Sequence, residues 1–432
     1  MRTPGRISAA IEILTDIQER HRPASLALKN WGLAHRFAGS GDRAAIGNMV
    51  YDVLRSKASL AYIMGDSSAR ALVLGLVVLK WGMDIGELSE SFANDDFAPS
   101  DFSEEEIKRL KADKPLVDAP EHIIANIPEW IKPDFEKAFG EKWIDEAKAF
   151  VKRPPLDLRV NDLKSKSDRV LKSLKRFSPE ISETLPNSLR IEAGVGASRT
   201  PNVTSDEAYK KGWFEVQDLG SALVASLIDA KPKEQLLDYC AGAGGKTLSL
   251  AAQMQNSGQI FAYDSDRTRL APIHDRLKRN GVRNVQIIEP DSDRLKQLEN
   301  KMDRVVVDAP CSGTGSWRRR PDTKWRLTKE LLELRLKSQA EILQEAAKYV
   351  RVGGQLTYIT CSILPQENGE QIERFLKEFS KFSVIPSHSL WQKKFGAVNK
   401  ARPYFDKFGL TLSPASTDSD GFFISILQRD SL

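Results

Sequence analysis

Apolar residues in ISAAIEILTDIQE (7–19), DRAAIGNMVYDVLR (42–55) and ARALVLGLVVLKWGM (69–83) recur every three or four positions. That is the spacing of one helix face. Few β-branched runs or turn pairs interrupt them, so residues from about 5 to 90 predict an all-helical unit. Residues 91–116 (NDD, APSD, SEEE) are acidic and turn-rich, and read as a linker into a helix at 103–112. Ser103 and Glu106 have capping-box spacing there. A second helical piece covers about 120–151.

The period changes after Pro154 and Pro155. LDLRVN alternates as a strand does, SKSDRVLKSLKRF is a basic amphipathic helix, and SLRIEAG returns to strand character. From Gln217 onward the short apolar runs LLDYC, QIFAYD, VQIIEP, DRVVVDAP and QLTYITC are mostly separated by helical segments. This rhythm predicts an α/β fold with a doubly wound, Rossmann-like parallel sheet and helices on both faces. The expected domains are 1–150, helical with its linker; 151–208, a small α+β unit; and 209–432, the sheet domain. No internal repeat or low-complexity tract is present.

Composition alters this picture little. The 432 residues are 41% hydrophobic and 28% charged, ordinary values for a globular chain of several domains. The net charge of +5 is mild, so the placement of the basic residues matters more than their excess. No run of 18 apolar residues exists, and the N-terminus lacks the apolar core of a signal peptide. No membrane partner is expected. Cys240, Cys311 and Cys361 are an odd, widely spaced set without a CxxC pair. They argue against a disulfide framework and a zinc site, and for a reducing cytoplasm.

The first sheet strand runs into YCAGAGGKT. Gly242, Gly244 and Gly245 would let the backbone approach a ligand, and the helix beginning near Lys246 offers free N–H groups. The next strand ends in Asp264, 20 residues after Gly244, where an acid can accept from a ribose. The P-loop pattern fails because Cys240 stands where its first glycine belongs, and GxGxxG fails as well. An S-adenosylmethionine (SAM) loop and a ligand-free tight turn both remain open on these residues alone.

Cys311 and Cys361 follow two strands of the same sheet, at the carboxyl ends where open α/β sheets bind ligands. A lone cysteine at such a place is usually a small core residue. Two at matched ends, beside a cofactor-like loop, favour chemistry. Asp308 precedes Cys311, and Arg318, Arg319, Arg320, Lys324 and Arg326 follow it. Nearby cations lower a thiol's pKa.

LLDYCAGAGGKT, DAPCSGTGSWRRRPDTKWR and TYITCSILPQENGEQI together resemble the motifs of the RsmB/Nop2/NSUN family of RNA cytosine-C5 methyltransferases. GWFEVQDLGSALVA at 212–225 is similar to the segment before that family's SAM loop, and RVND at 159–162 to its RNA-recognition (RRM-like) unit. GFFISILQR resembles its last strand. The likeness covers about 155–430. One departure is Ala243, where the family usually carries proline.

The resemblance implies SAM as cofactor. Cys240, Ala241, Gly242, Ala243, Gly244, Gly245 and Lys246 would form its loop, with the Cys240 side chain serving packing. Asp264 would hold the ribose and Asp291 the adenine side, with Asp293 as the alternative. Asp308 would face both cofactor and cytosine. Cys361 would attack cytosine C6, and Cys311 would assist release. The tail from Arg318 to Arg326 would grip RNA phosphates, with Trp317 and Trp325 for packing or stacking.

RISAAIEILTDI and GDRAAIGNMVYDVLRSKASLAYIMG look like the NusB-type RNA-binding domain at the front of the family's bacterial small-subunit ribosomal RNA enzymes. That favours 16S ribosomal RNA over transfer RNA as partner; separately, a monomer without metal is expected. A transfer RNA substrate and a non-catalytic ribosome assembly factor are the alternatives.

Overall fold

Helix Thr3–Arg20 buries Ile7, Ala10, Ile13, Leu14 and Ile17, the face its periodicity predicts. Helices Ser40–Arg55 and Ala69–Gly75 close over it with Ile46, Met49, Val50, Val53, Leu72 and Val73. The computed structural model describes residues 1–113, 115–396 and 400–430. It divides into two units. The helical unit takes Met1–Pro154 and adds Ala193–Pro201 and Trp317–Leu327. Among the described residues no single helix is long and apolar enough to cross a membrane.

Two expectations about this unit are corrected. The stretch 91–116 is not a free linker, because Phe92, Phe102 and Leu110 all join the helical core. The capping box at Ser103 is present: its hydroxyl accepts from Glu106 N at 3.2 Å, and Glu106 accepts from Ser103 N at 2.8 Å. The second correction concerns RRRPDTKWR. Pro321–Arg326 is a short helix packed into the helical unit. Lys324 is 1% exposed, and its ammonium donates to Arg55 O at 3.2 Å and lies 4.9 Å from the Trp325 ring. Arg318 is buried as well. Trp317 is fully buried and stacks on Phe135, and Trp325 donates to Leu54 O at 2.6 Å. Arg318, Lys324 and Trp317 are therefore structural here, and they offer nothing to a phosphate or a base.

Burial pushes the Lys324 amine down to about 7 from its ordinary 10.5. Between those values the unfolded chain binds more protons than the folded one, so stability rises with pH from about 7 to 10.5. Lys324→Met is expected to raise stability at pH 6 by about 1–4 kcal/mol, the range seen when buried charges give way to packed apolar groups. It should also flatten the melting temperature against pH in that window. Thermal melts of both proteins across pH 6–10 check this.

The second unit comprises Pro155–Glu192, Asn202–Ser316 and Thr328–Leu432. Its first part is a four-stranded antiparallel sheet of β1 (Leu156–Val160), β2 (Glu180–Ile181), β3 (Ser188–Ile191) and β4 (Phe214–Val216), in the order β2-β3-β1-β4. Helix Ser167–Ser173 covers it through Val170. A boundary at 208 would cut off β4, which pairs with β1 at Val160↔Phe214.

The large sheet contains β5 (Gln235–Asp238), β6 (Gln259–Tyr263), β7 (Val285–Ile288), β8 (Met302–Asp308), β9 (Val350–Thr360), β10 (Phe382–Val384), β11 (Tyr404–Phe405), β12 (Leu410–Leu412) and β13 (Phe422–Arg429). Their order is β11-β12-β13-β9-β8-β5-β6-β7, with β10 beside β13. Strands β5 to β9 are parallel, as expected. Strand β13 is antiparallel to β9, so the sheet is mixed rather than wholly parallel. Val305, Val306 and Val307 are fully buried at its centre, which is why that segment reads as an unbroken apolar run. The chain leaves β5 toward β6 and β7, then returns to β8 and β9 on the other side. The carboxyl ends of β5 and β8 thus form the topological switch point where such sheets bind ligands.

Candidate active site

Strand β5 delivers Asp238 to the switch point, and the chain turns through the glycine loop into helix Gly245–Gln253. Gly242 and Gly244 have φ of +49° and +82°, a region that L side chains rarely adopt. A Cβ on Gly244 would also lie 2.6 Å from Ile273. The loop is fastened to the end of β6. Asp264 accepts from Gly242 N at 2.9 Å and from Asp266 N at 3.0 Å, and lies 3.6 Å from the Arg269 guanidinium.

Thr247 donates to one oxygen of Asp238 at 2.6 Å. The other oxygen is buried without a hydrogen-bond partner among the described residues. Burial pushes the Asp238 carboxyl up to about 7; Asp308 and Asp264 add to this, while Thr247 and Lys246 oppose it. Burial likewise raises the Cys240 thiol, whose side chain packs with Tyr239 against the core.

Strands β8 and β9 run side by side with Asp308 opposite Ile359, so both chains leave the sheet at the same level. Cys311 Sγ and Cys361 Sγ come to 3.3 Å. Gly315 N donates to Cys361 O at 2.9 Å, and Gly421 N to Gly315 O at 2.8 Å, locking the two cysteine loops together. No side chain fits at Gly315, because a Cβ there would collide with the Gly421 backbone. Asp308 pairs with Lys246 at 2.5 Å, which joins the glycine-loop helix to the cysteine strand. The bond to Cys361, then burial and the charge of Glu367, raise the Cys311 thiol. Either sulfur can donate to the other across this contact.

The structure thus brings together Asp264 with the loop, Lys246 with Asp308, and Cys311 with Cys361. Asp291 is exposed and pairs with Arg267 at 2.8 Å; Asp293 is exposed and pairs with Lys296 at 3.2 Å. Arg320 and Arg326 are exposed and Arg319 is half-buried, within the helical unit.

Sequence reasoning missed Glu367. It is fully buried and accepts from Ser312 N at 2.8 Å, from the Ser312 hydroxyl and from Gln339 Nε2 at 2.9 Å. It therefore shapes the turn that carries Cys311. An acid six residues past Cys361 in a polar turn gives no sign of burial. Asp238 had a legible signal, since an acid ending an apolar strand directly before a glycine loop is unusual.

This strand order, with an antiparallel β13 beside β9 and a glycine loop at the switch point, is the Rossmann-like methyltransferase fold. The chain belongs to the RsmB/F family: residues 225–428 match the family described as 16S rRNA methyltransferase RsmB/F, and residues 127–197 its ferredoxin-like domain. It is 33% identical over 309 residues to the probable ribosomal RNA small subunit methyltransferase B of Synechocystis, spanning 70% of this chain and 67% of that one. It is 34% identical over 307 residues to ribosomal RNA small subunit methyltransferase B of Escherichia coli, spanning 70% and 66%. The matched stretch is thus about two thirds of each relative. Among solved structures, that of PH0851 aligns over 99% of both chains with a TM-score of 0.71 at 24% identity. NSun6 from Pyrococcus horikoshii with SFG aligns over 71% of this chain and 99% of its own, with a TM-score of 0.60 at 21% identity. Both show the fold, the former including the helical N-terminal region.

Proposed function

We propose that this protein methylates C5 of a cytosine in 16S ribosomal RNA through a covalent bond between Cys361 and cytosine C6. The observation that carries the reading is the 3.3 Å approach of Cys311 and Cys361 at the ends of adjacent strands, beside the Lys246–Asp308 pair. The names of the relatives point to small-subunit ribosomal RNA.

The residues present fit SAM. Open space where a Gly245 side chain would stand, the Asp264 carboxylate beside the loop as acceptor for a ribose diol, and a buried Asp238 oxygen without a hydrogen-bond partner among the described residues suit a ligand with hydroxyl and ammonium groups. Loop 240–246 would cradle it, Asp264 would hold the ribose, and Asp291 would turn from Arg267 to the adenine edge. When bound, SAM supplies an electrophilic methyl group. In the SAM-bound neighbourhood Asp308 and Lys246 would face cytosine and cofactor together.

Cytosine C5 is a poor nucleophile. Addition of the Cys361 thiolate to C6 moves the C5–C6 π electrons onto C5 and through C4 onto N3, where a proton given by the carboxylic-acid form of Asp308 balances the charge; N3 returns that proton to Asp308 as C5 is alkylated. C5 then takes the methyl group. Loss of the C5 proton to a base restores the double bond and expels Cys361 as thiolate. Cys311, 3.3 Å from the departing Cys361 sulfur, would donate a hydrogen bond to it as that bond breaks. Transfer of tritium from labelled SAM to separated RNA pools tests the reading. Label in small-subunit ribosomal RNA supports it, label in transfer RNA alone moves the substrate, and label in neither leaves a binding protein.

Arg320 and Arg326 remain able to meet RNA phosphates. Replacing both with Ala is expected to flatten the slope of log affinity against log salt by roughly 0.7 per lost contact. Lys324→Met should leave that slope unchanged. Filter binding at several salt concentrations checks both.

A further inference from the structure

We propose that Arg276 is a positioning residue for the cofactor loop, tying the Ala243 carbonyl to Glu215 on β4 and so presetting the loop for SAM. The inference rests on reading loop 240–246 as the SAM site. Arg276 lies on helix Ile273–Asn280. One guanidinium nitrogen donates to Ala243 O at 2.7 Å, and the other to Glu215 Oε2 at 2.9 Å. An arginine fork can span a carbonyl and a carboxylate in this way, whereas a lysine is a single point of charge.

Glu215 is a rigid anchor. Its side chain is 3% exposed and it also holds Arg279 and Asn280 Nδ2, the latter at 2.6 Å. Burial raises its carboxyl, but Arg276, Asn280 and Arg279 outweigh that and keep it below the usual range. Asn161, just after β1, donates to Asn280 O at 2.9 Å and Gly212 O at 2.8 Å. The end of the helix is therefore fixed to the small sheet at several points, while its start at Ile273 closes against Gly244.

The loop needs such a restraint. Ala243 stands between two glycines with positive φ, the residue type with the most freedom to lose. The Ala243–Gly244 peptide is held at both ends: its oxygen by Arg276, and its N–H by Ala241 O at 2.9 Å. Without Arg276 the peptide is free to flip. The carbonyl would then turn and the Gly244 N–H bond would break, so a fraction of molecules would present a misshapen loop. A ligand's apparent affinity falls in proportion to that fraction.

Calorimetry of SAM binding to the full chain tests this. Arg276→Ala is expected to weaken SAM binding about tenfold or more, as loss of a charge-assisted hydrogen bond does. The KM for SAM should rise while kcat at saturating SAM stays near wild type. The variant keeps Arg279 and Asn280 on Glu215, so the buried carboxylate is not orphaned. Should its melting temperature nevertheless fall sharply, Arg276→Lys decides, because it keeps a charge beside Glu215 but cannot span both acceptors. A SAM dissociation constant equal to wild type in a folded variant overturns the inference. Absence of SAM binding to the wild-type chain would instead remove the SAM reading itself.

Discussion

Cys361→Ala is expected to transfer no methyl group and to form no bond to RNA, while Cys311→Ala methylates and then remains attached. The two thiols are 3.3 Å apart, yet their settings differ. Cys311 lies in a turn held by the buried Glu367, and its hydrogen bond with Cys361, burial and that acid raise its thiol, whereas Cys361 directly follows β9. A protonated sulfur is a poor nucleophile but a useful partner for release. On a denaturing gel Cys311→Ala incubated with SAM and RNA should give a slow band that ribonuclease removes. Trapping by Cys361→Ala instead would exchange the two roles. Trapping by neither, with methylation intact in both, would end the covalent account.

The second large effect is expected at Asp264. Its carboxylate is buried and fastens the loop through Gly242 N at 2.9 Å, and on the proposed reading it would accept from the SAM ribose. Asp264→Ala removes the ribose acceptor and the loop fastening together. Each lost hydrogen bond to a charged group is worth about 1.5–3 kcal/mol. SAM affinity should therefore fall by roughly ten- to a few hundredfold. Calorimetry reads this directly, and an unchanged dissociation constant would take Asp264 out of the site.

Much of this was legible in the sequence because it is local. Val305 to Val307 is apolar because both faces of β8 are covered, and the same covering defines the strand. The glycines of the loop mark backbone that only glycine adopts readily. The two cysteines could be matched because each follows a strand of one sheet. What escaped depends on contacts between distant residues. The run RRRPDTKWR reads as a basic grip for RNA phosphates, yet Pro321–Arg326 turns Lys324 into a pocket of Trp325 and Arg55. Nothing within that run specifies its partner. Glu215 and Arg276 are 61 positions apart, and Ser312 and Glu367 are 55 apart. Each looks like an ordinary polar surface residue until the fold pairs it. The strands β10, β11 and β12 went unread because they are short and lie at the periphery of the sheet, where no long apolar run marks them.

The most direct test of the central claim is to identify the sulfur that holds the RNA. Cys311→Ala would be trapped on small-subunit ribosomal RNA with SAM, then digested with ribonuclease and trypsin and read by mass spectrometry. The account predicts a methylated cytidine nucleotide on the peptide VGGQLTYITCSILPQENGEQIER, residues 352–374, at Cys361. A wild-type control that turns over should leave that peptide unmodified. A nucleotide on any other peptide, or methylated RNA released from Cys311→Ala with no modified peptide at all, would contradict it.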